Sequence, residues 1–235
     1  MRSHFINTAK LDDLCTLDET SDCNVCDIKN KLACKWDKKI KNCFLAIGFP
    51  PILIAIFGMV IIGKVTGAWW PLIAYVVYFM CMFSVFEIRF LCSHCPYYPG
   101  EGKTLRCLGN HGSPKFWRYH PEAINEFEKF LMRFGVVAMI FFIFPLSVLG
   151  YGIFYLASHF AIYGLISLLG LIGLTFATLL SSISFVAVLK TFYCSHCVNF
   201  SCTFNTVPKH IVDAYLIKNT VMKEAWERSG YIIDS

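Results

Sequence analysis

The run GVVAMIFFIFPLSVLGYGIFYLASHFAIYGLISLLGLIGLTFATLLSSISFVAVL, residues 135–189, decides the fold. Its 55 residues hold no Asp, Glu, Lys or Arg, and their only ionisable groups are tyrosines and His159. As a single helix the run would be about 80 Å long, against a bilayer hydrocarbon core of about 30 Å. It therefore requires two crossings, and the polar ASHF at 157–160 is the expected turn between them.

Two earlier segments have the same character, so four spans are expected, at 43–64, 69–91, 134–156 and 161–189. Pro50, Pro51 and Pro145 fall inside them, where they are expected to kink the helices while neighbouring helices re-satisfy the freed carbonyls. The composition agrees: of 235 residues, 56% are hydrophobic and only 16% charged, far from an ordinary soluble domain. The first 40 residues are polar and carry no apolar signal-peptide core, so the first span is expected to act as the targeting signal.

Charge sets the expected sidedness. Of the 21 Lys and Arg, nineteen lie before the first span, between the second and third, or after the fourth, and Arg89 sits at that same end of the second span; Lys64 alone falls on the other side. The positive-inside rule then puts both termini and the middle loop in the cytoplasm, and the cell membrane is the expected location. The net charge of +5 suits anionic lipid headgroups. The basic residues are interspersed with acidic ones on the same face, which is no footprint for nucleic acid.

The second half echoes the first. Each half reads as a helical hairpin, then Cys-Ser-His-Cys, then a third Cys, then a polar segment opened by Pro-Lys: Cys92, Cys95, Cys107 and Pro114 in one, Cys194, Cys197, Cys202 and Pro208 in the other. Pro suits the first turn of a helix and Ser113 is a suitable N-cap, so both polar segments are expected to be helices. The expected architecture is an all-α integral membrane protein with four transmembrane helices, built as a tandem parallel repeat of two helical hairpins with a Cys-rich cytoplasmic cap. The expected divisions are a Cys-rich N-terminal segment (1–42), a first hairpin with its loop (43–133) and a second hairpin with its C-terminal helix (134–235).

Twelve cysteines carry the chemistry, and all but Cys81 lie outside the spans or at their edges. In a reducing cytosol, clustered CxxC pairs read as metal ligands or redox-active dithiols rather than stable disulfides. A CxxC turn lets two thiolates reach one ion, and two such turns supply four sulfurs, so Cys92, Cys95, Cys194 and Cys197 form one candidate set. Cys107 and Cys202 could instead complete two separate sites, with His94, His196, His111 or His210 as a further ligand. Cys15, Cys23, Cys26 and Cys34 supply a second four-thiol set in a polar segment that has little apolar surface to bury and that a metal would fold. Cys43 and Cys81 read as small packing residues.

Three thiols within nine residues, at 194–202, are denser than paired zinc spacing, which points to an iron–sulfur cluster, with zinc as the alternative. The expected function is a membrane-embedded redox component that passes electrons between a cytoplasmic partner protein and the membrane. The interfacial aromatics, Trp69, Trp70, Trp117, Tyr97, Tyr98, Tyr151 and Tyr193, read as anchors and could also host a quinone. A scaffold with structural zinc and a cytosol-facing thiol oxidoreductase are the competing readings. The spans carry no His pair for haem b and no acidic proton relay, and the chain has no nucleotide-binding or protease motif.

Overall fold

A computed structural model describes residues 14–18, 20–100, 102–106 and 111–234. Cys107 lies outside the described residues. The described chain is helical, with one isolated antiparallel bridge between Thr104 and Pro114. Four helices are long and apolar enough to cross a membrane: α1 Lys38–Thr66, α2 Trp70–His94, α3 Glu126–Ser158 and α4 Phe160–Tyr193. Two short helices follow, α5 Lys209–Lys218 and α6 Thr220–Arg228.

The chain forms two compact units interleaved along the sequence. One takes in Asn42–Glu87 and Phe130–Val188; the other is built from the N-terminal segment up to Lys41, Ile88–Lys129 and the residues from Leu189 onward.

In the first unit Ile62, Leu149, Leu156 and Leu171 form a buried core, while Leu53, Phe57, Ile73, Val77, Phe154, Ile166, Phe176 and Leu180 point outward. An outer surface this apolar is the one a helix bundle presents to lipid. Close approach inside the bundle depends on Gly152, where a Cβ would stand 2.6 Å from Ile62 Cγ1 and 2.9 Å from Leu171 Cδ2.

Part of α3, Met132–Ile143, has π-helical register. Pro145 follows directly and has no N–H to continue an α ladder, and the wider register before it ends with the Phe144 N–H on the Met139 carbonyl, five residues back. Two tyrosines of α2 bond to carbonyls in this stretch: Tyr75 OH donates to Ile140 O at 3.0 Å and Tyr78 OH to Gly135 O at 2.9 Å. The turn between α3 and α4 is at His159, within the expected 157–160, but α4 is interrupted again at Gly164, whose φ of +72° is open to glycine.

The second unit is organised by α5 and α6. Ile211, Val212, Tyr215, Leu216, Met222 and Trp226 pack with Val198 and with Leu14, Ile28 and Leu32 of the N-terminal segment. Pro208 immediately precedes α5, as its spacing predicts. The equivalent expectation at Pro114 is not met: residues 114–125 are not helical, and helix begins only at Glu126. A helix from Pro114 would have met Pro121 in its interior, and His120, as the residue before a proline, is biased away from helical backbone. The start at Glu126 is set by a reciprocal cap, in which Glu128 N donates to Asn125 Oδ1 at 2.9 Å and Asn125 N to Glu128 Oε2 at 3.1 Å.

Cys43 and Cys81, expected as packing residues, are exposed on their helices. On a lipid-facing surface a small apolar thiol needs no protein neighbour.

Candidate metal centre

The two Cys-Ser-His-Cys turns share a local design. Ser93 Oγ donates to Arg89 O at 2.5 Å and Ser195 Oγ to Thr191 O at 2.7 Å, each four residues back. His94 N bonds Leu91 O at 3.2 Å and His196 N bonds Tyr193 O at 3.3 Å, each three back. The turns are also tied to each other, because Asn199 Nδ2 donates to Leu91 O at 2.9 Å.

The N-terminal segment joins the second turn and the residues just after the first through one residue, Ala33. Ala33 N donates to His196 O at 2.7 Å, and Ala33 O accepts from Tyr97 OH at 2.6 Å. Cys34 is the next residue. The same segment is anchored to α5 and α6 at its other end: Cys15 N donates to Asn219 Oδ1 at 2.8 Å, Asn219 Nδ2 lies 3.3 Å from Cys15 Sγ, and Thr16 Oγ1 is 2.5 Å from Tyr215 OH.

Cys15, Cys23, Cys26 and Cys34 form a tetrad in which the charges of the first three act on the fourth. Burial pushes the Cys34 thiol up to about 12, and the charges of Cys15, Cys26 and Cys23 add to the effect in that order. Cys15 is raised by burial, opposed by its Asn219 hydrogen bond and by Lys35, with Cys26 and Cys23 raising it further. All four are half-buried. Local turns position them: Asp22 Oδ1 accepts Asn24 N at 2.8 Å to cap the 3-10 turn Cys23–Val25, and Lys35 Nζ donates to Cys15 O at 2.9 Å. Asp18 accepts Thr20 N, Thr20 Oγ1 and Ser21 Oγ, and these bonds hold its carboxyl down to about 2.

Cys194, Cys197 and Cys202 share one loop. Backbone N–H groups point at two of the sulfurs, Asn199 N at 3.4 Å from Cys197 Sγ and Phe204 N at 3.5 Å from Cys202 Sγ. Donors of this kind favour a thiolate over a thiol. Asn205 Nδ2 braces the loop through Cys197 O at 2.8 Å and Asn199 O at 3.1 Å. Burial and then Cys197 push the Cys194 thiol up to about 12. Cys92 is buried and opens the 3-10 turn Cys92–His94, which Cys95 closes through its N–H to Cys92 O at 3.0 Å.

Among the described residues no three His, Cys, Asp or Glu side chains converge closely enough to hold a metal ion as they stand. The charges of Cys15, Cys23 and Cys26 reach Cys34, and that of Cys197 reaches Cys194, without three such groups meeting at one point. Of the other histidines considered as ligands, His111 stacks on Trp36 at 4.8 Å, His210 is exposed on α5, and His196 Nδ1 lies 2.8 Å from Phe192 O. The Arg89 guanidinium lies 5.8 Å from the Trp117 ring, a cation–π contact.

The docking of the N-terminal segment against the second turn and the residues just after the first was not readable from cysteine spacing, since it runs through the backbone of Ala33 and the side chain of Asn219. No protein-family model, curated protein or solved structure matches the chain.

Proposed function

We propose that the chain is a membrane-embedded redox component with a thiolate-ligated iron–sulfur centre, held by Cys15, Cys23, Cys26 and Cys34. The observation that carries this reading is that the charges of Cys15, Cys26 and Cys23 reach the Cys34 thiol, in a segment whose buried apolar side chains, among the described residues, are Leu14, Ile28 and Leu32. So little apolar burial does not offset the ordering of the segment, and metal binding supplies what is missing. The N–H groups aimed at Cys15, Cys197 and Cys202 are the kind of donor that tunes the potential of a cluster.

Electron transfer is favoured over a purely structural role by two tyrosines, Tyr215, which is fully buried, and Tyr119, whose hydroxyl is buried. The Tyr215 hydroxyl is raised by burial and then by Cys15, with Cys34 and Tyr119 also contributing; the Tyr119 hydroxyl is raised by burial and then by Cys95. Tyr215 thus lies within reach of the charges of Cys15 and Cys34, and Tyr119 within reach of Cys95 in the first Cys-Ser-His-Cys turn. On the charge distribution, the Cys-rich unit faces the cytoplasm, where it receives electrons from a soluble partner and delivers them toward the membrane and a quinone.

The alternative is a scaffold with structural zinc, supported by the same deficit of apolar burial. Anaerobic purification with iron, sulfide and zinc quantification tests both. Iron with acid-labile sulfide, and broad visible absorption bleached by reductant and lost in Cys15→Ser or Cys34→Ser, supports the electron-transfer reading. Stoichiometric zinc in a colourless protein overturns it in favour of the scaffold. Metal-free protein with one unusually reactive cysteine would indicate a thiol oxidoreductase instead.

A further inference from the structure

The first Cys-Ser-His-Cys turn differs from the second in its histidine. His94 is 4% exposed, whereas His196 is only half-buried. His94 Nδ1 lies 2.6 Å from the backbone carbonyl of Glu122, so that nitrogen carries the proton and donates it. The other ring nitrogen, Nε2, is then a lone-pair acceptor, and it is buried without a hydrogen-bond partner. A buried acceptor in this position needs a ligand, because burial has removed it from water.

A second imidazole lies beside it. The His120 ring centroid is 5.5 Å from that of His94. His120 N donates to Ser93 O at 2.8 Å, which fixes its backbone to the turn. Its Nδ1 is 3.0 Å from the Glu122 carboxylate. Glu122 therefore holds both rings by their Nδ1 atoms, one through its main chain and one through its side chain, and leaves both Nε2 atoms available. Metal-binding histidines are oriented in this way, by a carbonyl or carboxylate on the nitrogen that does not bind the ion.

We propose that His94 and His120 are the protein ligands of a second metal site, which takes a borderline divalent transition ion of the zinc class. Two imidazoles bound through one nitrogen each to a tetrahedral ion, at about 2.0–2.1 Å, hold their centroids roughly 5 Å apart. The observed separation is close to that. Tyr119, next to His120 in the chain, contributes a hydroxyl that is also buried without a partner. Water completes the coordination. A hard oxygen-seeking ion such as magnesium does not suit two imidazoles. The site shares no residue with the N-terminal tetrad, so either can fail without the other.

The test is equilibrium binding of zinc and of cobalt(II) to the full chain purified in detergent. His94→Asn and His120→Asn each keep a donor at the Nδ1 position for Glu122 and remove Nε2. Each is expected to lose one bound zinc per chain together with the cobalt visible bands from nitrogen ligation, and the double variant to lose no more than either single one. Glu122→Gln, which weakens the hold on His120, is expected to lower zinc affinity about ten- to a hundred-fold. Cys15→Ser with Cys34→Ser is expected to leave this site intact and to remove only thiolate-to-metal absorption at the tetrad. Unchanged zinc stoichiometry and affinity in both histidine variants overturns the proposal. If His94→Asn does not fold, the more exposed His120 carries the same test.

Discussion

Asn219 and Cys15, 204 residues apart, hold each other by two hydrogen bonds: the Cys15 N–H donates to Asn219 Oδ1 at 2.8 Å, and Asn219 Nδ2 lies 3.3 Å from the Cys15 sulfur. Asn219 is fully buried, and its amide also bonds Tyr215 O at 2.7 Å. Asn219→Leu keeps the volume and removes every one of these contacts. It is expected to destabilise the Cys-rich unit by about 2–3 kcal/mol, read as a lower denaturant midpoint by tryptophan fluorescence. Asn219→Asp retains an acceptor for the Cys15 N–H and is expected to lose less. An unchanged midpoint in Asn219→Leu would mean that the N-terminal segment does not depend on α5 and α6.

Hydropathy was sufficient for the four long helices, because a run of 55 residues without a formal charge at Asp, Glu, Lys or Arg has few alternatives. Pro208 likewise marked the start of α5. The matching expectation at Pro114 failed because local signals compete there, and Pro121 outweighs the proline seven residues before it. The Asn125 and Glu128 pair that starts α3 was present in the sequence as a capping pattern. What local patterns do not encode is tertiary pairing. Cysteine spacing marked candidate sets, but the pairing of His94 with His120 through Glu122 depends on contacts between residues 26 to 28 apart in the chain.

The raised thiols make an alkaline prediction. Cys34 and Cys194 stand at about 12 and Cys15 is raised, whereas an unfolded thiol titrates near 8.5. Above that pH the unfolded chain releases protons that the folded chain retains, so stability falls as pH rises. Chelator-treated protein is therefore expected to melt at lower temperature at about pH 10.5 than at about pH 8. Metal-bound thiolates have already lost their protons, so metal-loaded protein is expected to be spared this loss and to be sensitive to acid instead. Parallel melts with and without chelator check it, and superimposable pH profiles would count against metal at these thiols.

In the helical bundle, Gly152 is the position where a methyl group is least tolerable. A Cβ there would meet Ile62 Cγ1 at 2.6 Å, Ile62 Cδ1 at 2.7 Å and Leu171 Cδ2 at 2.9 Å, and both neighbours are 2% exposed. Gly152→Ala is expected to cost about 1–3 kcal/mol through overpacking. Ile62→Val in the same chain removes the Cδ1 contact and is expected to recover part of that cost, so the two changes should be non-additive. Thermal inactivation of the four variants of the cycle in detergent measures the coupling.

A buried carboxylate helps to hold the C-terminal segment, beside the ion pair of Lys209 with Asp234. Asp213, 3% exposed on α5, accepts Lys209 Nζ at 2.7 Å, Tyr231 OH at 2.8 Å and Asp234 N at 3.2 Å. Burial alone would raise its carboxyl, but the bonds from Lys209, Tyr231 and Asp234 outweigh it and hold the group below the ordinary aspartate value. Stability from this network is therefore present above about pH 4 and is lost as pH falls through the lowered value. Asp213→Asn replaces one acceptor oxygen with a donor and removes the charge that Lys209 faces. It is expected to cost about 1–3 kcal/mol and to release the residues from Tyr231 onward. Carboxypeptidase trimming reads the release directly: the variant should be trimmed at neutral pH, and the parent chain only after acidification. Equal trimming of both at neutral pH would show that the tail is not held by Asp213.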